Sequence, residues 1–312
     1  MTFSEYIQLH FLPEHIKLKS NSGRRHYYAI LKHVMRPSEV DLIAGALEQQ
    51  SRSKLVEDPI WPYLGDLRLE KITPDHMRNL IEAATRRGYS SQTVRHIRNV
   101  VRSVFAHAIR RGTHAGDNPA ANVSVPESGR RELHVLSLAQ AIKLLERMHY
   151  PEREVALMAI LTNMTIAEIC GLQWKNVNLS DHALNREGLW IPARHIAVRS
   201  QLYRGEFAPV PPSRNKFIAI PPLLHKVLRN LPNKSQGGRP EFVLTTRSGR
   251  PINQVNLAVR RLKRIGTQVN MPWISWQVFR RTRVSVLHEY EARVQEQLAK
   301  VVFPFTSPIR PQ

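Results

Sequence analysis

A mainly α-helical fold with a small β-sheet, divided between two domains, is what this sequence predicts, and three observations carry the prediction. Apolar residues recur at three- and four-residue steps through most of the first 110 residues and again after residue 135, the period of helices with one buried face. Only two short pieces, "GLWIPA" (188–193) and "KFIAIP" (216–221), favour strands. Between the helical regions lies "GDNPAANVSVPESGRRE" (116–132), whose Pro, Gly, Asn and Ser mark a boundary. The expected division is a helical domain over 1–125, a linker over 126–134 and a mixed domain over 135–312.

In chain order, "TFSEYIQLHFL" opens a first helix, and "SNSGRRHYYAILKHVM" a second, started by Ser and Asn and stopped by Pro37. Residues 38–60 fit no clear pattern and read as an insertion. In "ITPDHMRNLIEAATRRG", Thr73 is placed to cap, Pro74 takes the first helical position, Asp75 suits the positive end of the dipole and Gly88 comes just past the end. "SSQTVRHIRNVVRSVFAHAIRRG" repeats that grammar: Val94, Ile97, Val101, Val104 and Ala108 form one apolar stripe, and Arg95, Arg98 and Arg102 a basic one on another face. Beyond the linker, "LSLAQAIKLLERM" is a helix capped by Ser137, and 151–172 a buried one. Helical patterns resume after the strand pieces to about Ala299. The tail "VVFPFTSPIRPQ" is too rich in proline to be regular.

Charge narrows the function. The 312 residues hold 46 Lys and Arg against 25 Asp and Glu, a formal net charge of +21, which asks for a polyanionic partner: nucleic acid first, an anionic membrane surface second. No stretch approaches the roughly 18–20 apolar residues that span a bilayer, and the N-terminus has no secretory pattern. Cys170 is the sole cysteine, so disulfide scaffolds and cysteine zinc sites are excluded within one chain. The expectation is a cytoplasmic, nucleoid-associated protein without metal or cofactor. Between Arg199 and Arg264 fourteen Lys or Arg accompany only Glu206 and Glu241. "SRNK" (213–216) and "RRLKR" (260–264) are the densest clusters, which makes Arg214, Lys216, Arg260, Arg261 and Arg264 candidate phosphate contacts alongside Arg95, Arg98 and Arg102. The opposite holds from Val155 to Gln173, where Glu168 is the one ionised side chain.

That uncharged stretch carries a resemblance. "LTNMTIAEICGLQWKNVNL" (161–179) is similar to the first arginine box of the tyrosine recombinases of phage-integrase type, T-G-x-R-x-x-E-[IL]-x-x-L-x-W-x-D-[IV], with Thr162, Glu168, Ile169, Leu172, Trp174 and Val177 in register. "PPSRNKFIAIPPLLHKVL" (211–228) resembles the hairpin that bears the family's catalytic lysine, and "QVFRRTRVSVL" (277–287) its H-x-L-R-H-T box. The segment from "YLGDLRLEKITPDHM" to "NPAANV" looks like the core-binding domain of integrases.

The resemblance implies a two-domain clamp on duplex DNA and attack of a tyrosine on a phosphodiester. Two arginines, a lysine and histidines would manage the charge and protons of that reaction. Carried onto this chain, the first arginine falls on Thr165, the lysine on Pro212 or Ser213, and the histidine of the third box on Gln277. The arginine of that box is present as Arg280. A further histidine or tryptophan is expected near Val302 and Phe303. The nucleophile is expected some thirty residues after Arg280, yet no tyrosine occurs beyond Tyr290, which reads as a core aromatic. Arg194 and His195 lie near the hairpin in sequence, and Glu168 is expected to be a buried partner of Arg280. Losing one transition-state donor lowers a rate by about 10²–10³, and losing the nucleophile removes the covalent step. The favoured reading is therefore a DNA-binding recombinase homologue that does not cut, with duplex DNA and an active recombinase as partners. The alternatives are a working recombinase with atypical residues or a tyrosine supplied in trans, a decaying remnant, and an RNA-binding or general basic scaffold.

Overall fold

The computed structural model describes residues 1–45, 55–126, 133–231, 241–246 and 248–283. Tyr290, Val302, Phe303 and the tail lie outside the described residues, as does most of the expected linker. The chain falls into two compact units, Met1–Glu132 and Leu133–Gln312.

The first unit is helical. Thr2 and Glu5 form a reciprocal capping box that starts α1 (Phe3–Tyr6). The chain continues as a π-helix, Ile7–Ile16, with Pro13 inside it. Proline has no amide hydrogen for the α-helical ladder, and the wider register lets the helix pass it. Then come α2 (Asn21–Leu31), capped by Ser20, and α3 (Pro37–Ala44). Pro37 therefore begins a helix as its first residue, and α2 stops earlier, at Leu31; the supposed insertion opens with regular helix. In α4 (Pro74–Arg86), Thr73 and His76 make the capping box. α5 (Ser91–Arg110) is capped by Ser90 and buries Val94, Ile97, Val101, Val104 and Ala108, the stripe expected from their spacing. α2 and α4 both pack on α5, and the core gathers Phe3, Tyr6, Phe11, Leu31, Leu80 and Phe105.

The second unit begins with α6 (Leu138–Glu146), opened by a Ser137–Gln140 capping box. The expected single helix over 151–172 is two: α7 (Glu152–Thr162) and α8 (Ile166–Cys170). Asn163 breaks it in the left-handed conformation, φ 56°, and Thr165 caps the second piece. Strands β1 (Val177–Asn178), β2 (Leu184–Arg186), β3 (Leu189–Ile191), β4 (His195–Val198), β5 (Ser200–Tyr203), β6 (Glu206–Pro209) and β7 (Lys216–Ala219) come next. β1, β4 and β7 form an antiparallel sheet in that order, with Val177 opposite Ile196 and Val198 opposite Lys216. β2–β3 and β5–β6 are separate hairpins. After the strands come α9 (Pro222–Arg229), then α10 (Gln254–Asn256), which runs through a π-helical stretch, Leu257–Leu262, into α11 (Lys263–Gln268). α12 (Trp276–Thr282) closes the described part.

α7 is the axis of this unit, buried from Val155 to Thr162 and packed against α8, α9 and α12. α8 lies so close to β5 that a Cβ on Gly171 would stand 2.5 Å from the carbonyl carbon of Gln201 and the amide nitrogen of Leu202. The hydroxyl of Ser200 donates to the Gly171 carbonyl at 2.7 Å and completes that contact. The approach fixes β5, directly after β4, against the helix that Thr165 starts.

Candidate nucleic-acid interface

The turn Asn163–Thr165 is built from both sides. Its left-handed Asn163 ends α7, leaving carbonyls at the negative end of a helix. α12 and the residue that follows it answer them with cations: Arg280 Nε donates to the Asn163 carbonyl at 3.1 Å, and Arg283, the C-cap, donates to that of Leu161. On the other side Thr165 starts α8. Its hydroxyl accepts from the Glu168 amide at 3.2 Å, and the Glu168 carboxylate accepts from the Thr165 amide at 2.8 Å. Thr165 is thus engaged as a helix cap, with both its hydroxyl and its amide bonded within the chain.

Glu168 is only 2% exposed. Its ionic partner is Lys216 at the start of β7, Nζ 3.7 Å from Oε2. The expected Glu168–Arg280 pair is not formed: Arg280 reaches the turn's backbone instead, because it approaches from the helix-end side of the turn. The structure therefore brings Thr165, Glu168, Lys216 and Arg280 to one turn, although they come from three distant stretches of sequence. Sequence density marks Lys216 as a phosphate contact beside the hairpin; its seat against Thr165's own cap carries no trace in the sequence.

The other family positions stand outside this arrangement. Pro212 and Ser213 belong to an exposed 3₁₀ turn, Pro212–Arg214, and Gln277 is exposed on α12. Arg214 is exposed beside them. Arg194 and His195 are held elsewhere. Arg194 Nε lies 2.5 Å from Asp181, whose carboxyl it holds below the usual range. His195 Nδ1 is 2.7 Å from the Ala193 carbonyl. Arg199 bonds the Val198 carbonyl at 2.9 Å and lies over the ring of Phe217, 4.7 Å from its centroid, which stiffens the edge from which Lys216 projects.

The remaining cations form two further groups. On α5, Arg95 and Arg102 are exposed, and Arg98 is half-buried, donating to the Val123 carbonyl at 3.1 Å. Arg98 thus ties down the segment after α5 and presents part of its charge. Arg260, Arg261 and Arg264 are exposed, but they do not join the turn. Arg261 Nε lies 3.5 Å from Glu152, the first residue of α7. Eleven residues of helix separate that end from the turn, about 16 Å at 1.5 Å per residue. Among the described residues no group of three His, Cys, Asp or Glu is placed to hold a metal, and no helix is long and apolar enough to cross a membrane.

Known proteins resemble this chain in sequence and in fold. Residues 43–124 match the family described as phage integrase central domain. The chain is 28% identical over 142 residues to tyrosine recombinase XerC of Alcanivorax borkumensis, covering 43% of this chain and 46% of the relative. To XerC of Xylella fastidiosa it is 23% identical over 189 residues, 59% and 56% of the two chains. The chain spans about half the length of the curated relatives it matches. Among solved structures, the Tn1549 transposon integrase in complex with a circular intermediate DNA superposes with a TM-score of 0.67 at 15% identity, over 96% of this chain and 91% of that one. A lambda integrase dimer bound to a COC′ core site gives 0.57 at 14%, over 100% and 98%. At such identities these likenesses show the fold, which is the one the sequence boxes imply. Family match, relatives and fold together support the tyrosine recombinase family.

Proposed function

We propose, from this chain's similarity to the tyrosine recombinase family, that it binds duplex DNA and does not cleave it, acting as an accessory or competitor in the integration of a mobile element. The observation that carries the reading is the turn at Thr165. The phosphodiester chemistry that the resemblance implies uses two planar, permanently charged guanidiniums and a proton donor for the leaving oxygen. At this turn the first guanidinium is replaced by a helix cap. The lysine that stands nearest is opposed by a buried carboxylate at 3.7 Å, and Arg280, tied through Nε to a backbone carbonyl, supplies one guanidinium where the implied chemistry uses two. Among the described residues, what remains at the turn suits gripping a phosphate and lacks the groups that the implied cleavage chemistry uses.

Duplex DNA as ligand is supported by the +21 charge and by the integrases of the same fold solved on DNA. In this reading Arg95, Arg98 and Arg102 on α5 contact phosphates from one unit, and Arg214, Lys216, Arg280 and the exposed Arg260, Arg261 and Arg264 from the other. The protein would act where DNA is, in the cytoplasm on the nucleoid, with no cofactor. A nicked suicide duplex tests the lack of cleavage: no covalent protein–DNA adduct is expected on a denaturing gel, and an adduct formed by the purified chain overturns the reading. Binding against salt tests the interface. Each phosphate contact removed lowers the slope by about 0.9, so Arg95→Ala and Lys216→Ala should each flatten it by about that much. An unchanged slope in both places the DNA elsewhere.

A further inference from the structure

A cleft of about 300 Å³ is lined by the β2–β3 hairpin, by β6 and by the 3₁₀ turn Trp174–Asn176. Two of its side chains have no evident task inside the fold. Phe207 on β6 is 44% exposed, and Phe242 packs at right angles to its ring, centroids 5.5 Å apart, which steadies it. Asn176 is the reverse. It is only 6% exposed, yet its carboxamide makes no hydrogen bond among the described residues. A buried amide without partners carries a penalty that a ligand in the cleft can lift. Lys175, Arg186 and Arg199 share the lining with a single carboxylate, Glu187, which Lys175 pairs at 3.0 Å. Arg186 is exposed and pairs with no carboxylate among the described residues. Arg199 also donates to the Lys216 carbonyl at 3.3 Å, so the cleft adjoins the strand whose lysine is set against phosphate in the reading above.

These features answer the parts of one nucleotide. An aromatic plate stacks on a base, a carboxamide offers a donor and an acceptor to its edge, and guanidiniums take the phosphates beside it. A base within a duplex has its faces covered by its neighbours and cannot lie on Phe207. An unpaired base can, and leaving the stack costs least where the strand is already single. An acidic peptide would meet the cations, but its carboxylates would give the Asn176 carbonyl nothing to accept. We propose that this cleft holds the base of an unpaired nucleotide, in a strand that runs on from a duplex gripped at Lys216. The proposal rests on the duplex reading above and adds to it a preference for junctions of double and single strand. The base stacks on Phe207, and the Asn176 amide takes the N6 and N7 edge of adenine, which a carboxamide matches with two bonds. Arg186 and Arg199 hold the flanking phosphates.

Fluorescence anisotropy of labelled DNA on the full chain tests this. The probes are one duplex in four forms: blunt, or with the longer strand running on at both ends as adenines, thymines or abasic residues. The adenine form should bind about tenfold more tightly than the blunt or abasic form, and about fivefold more tightly than the thymine form. Phe207→Leu keeps an apolar side chain and removes the plate. It should erase most of the tenfold gain and leave the blunt duplex within about twofold. Asn176→Ala should level adenine with thymine, with thermal unfolding as the control for folding of both variants. Abasic tails bound as tightly as adenine ones, or a gain that Phe207→Leu leaves intact, overturn the proposal. A peptide of Glu and Phe that binds through Phe207 while the tails do not would overturn it too, making the cleft a protein-docking groove. Loss of the preference with blunt binding intact counts against the cleft alone. A chain that binds no form of the duplex sinks the duplex reading, and this proposal with it.

Discussion

Replacing Glu168 by glutamine separates the two tasks this side chain performs. The carboxylate accepts the Thr165 amide at 2.8 Å and stands 3.7 Å from the Lys216 ammonium. Glutamine keeps an acceptor for the amide and removes the charge. Two unit charges 3.7 Å apart at an effective dielectric near 20 interact by at most about 4–5 kcal/mol. The Lys216 side chain is 41% exposed, however, and half-exposed pairs retain only about 0.5–1 kcal/mol after screening. Glu168→Gln should therefore lower stability by about 1 kcal/mol. It should also tighten duplex binding about two- to fivefold, because Lys216 no longer has to leave a carboxylate to meet a phosphate. Glu168→Ala removes the acceptor as well, and with it a charge-assisted bond and half of a capping box, for about 2–4 kcal/mol. Urea unfolding followed by tryptophan fluorescence reads the first quantity, and duplex anisotropy the second. Weaker duplex binding by Glu168→Gln would refute the argument. So would a Glu168/Arg280 double-mutant cycle with coupling above about 1 kcal/mol, since it would restore the pair that the geometry denies.

Three further outcomes are expected. Gly171→Ala forces a methyl group into the backbone of β5 at 2.5 Å, which no rotamer can relieve; a loss of about 2–4 kcal/mol in urea unfolding is predicted, and a loss below about 0.5 would show that the strand yields. Burial holds the imidazoles of His15, His26 and His107 below their ordinary range, in His107 against the opposing pull of Glu14. The folded first unit then binds fewer protons than the unfolded one. Its stability should be full above about pH 6.5 and fall as pH drops through the lowered values; a urea midpoint flat to about pH 5 would contradict this. Burial also pushes the Cys170 thiol up to about 12, so iodoacetamide should label it only on unfolding. Labelling of native protein at neutral pH would place the thiol at the surface.

The helices of the first unit were legible because cap, proline and period agree locally: Thr73-Pro74-Asp75 starts α4, and Val94 to Ala108 draw one face of α5. The strands of the second unit were harder. Only the pieces around β3 and β7 stood out as strands; β4 is apolar but only four residues long, and the rest are short and mixed in composition. Their turns did carry a mark. Glu187-Gly188 and Arg204-Gly205 are pairs in which both residues take positive φ, the two-residue connection a tight hairpin prefers, and X-Gly between short runs is the signal for β2–β3 and β5–β6. The break in 151–172 was likewise written in Thr165-x-x-Glu168, a capping box inside an apolar run. The meeting of Lys216 with Glu168 had no such mark, since it depends on how β7 is laid beside β4 and how α8 leans on β5. Nor did sequence density distinguish Arg260, Arg261 and Arg264 from Lys216, although α7 holds the groups at opposite ends.

The left-handed Asn163 and the cap beyond it give the turn a shape that owes nothing to any ligand. Its carbonyls are met by side chains of α12, its amide by a carboxylate one helical turn later, and Met164 is sealed in the interior. Position 165 is consequently governed by the rules for beginning a helix, which admit Ser, Asp or Asn as readily as Thr. An arginine installed there would forfeit the cap, about 1 kcal/mol. The distance from inert to charged at this spot is a single codon's worth of chemistry, with the scaffold standing ready on either side of it.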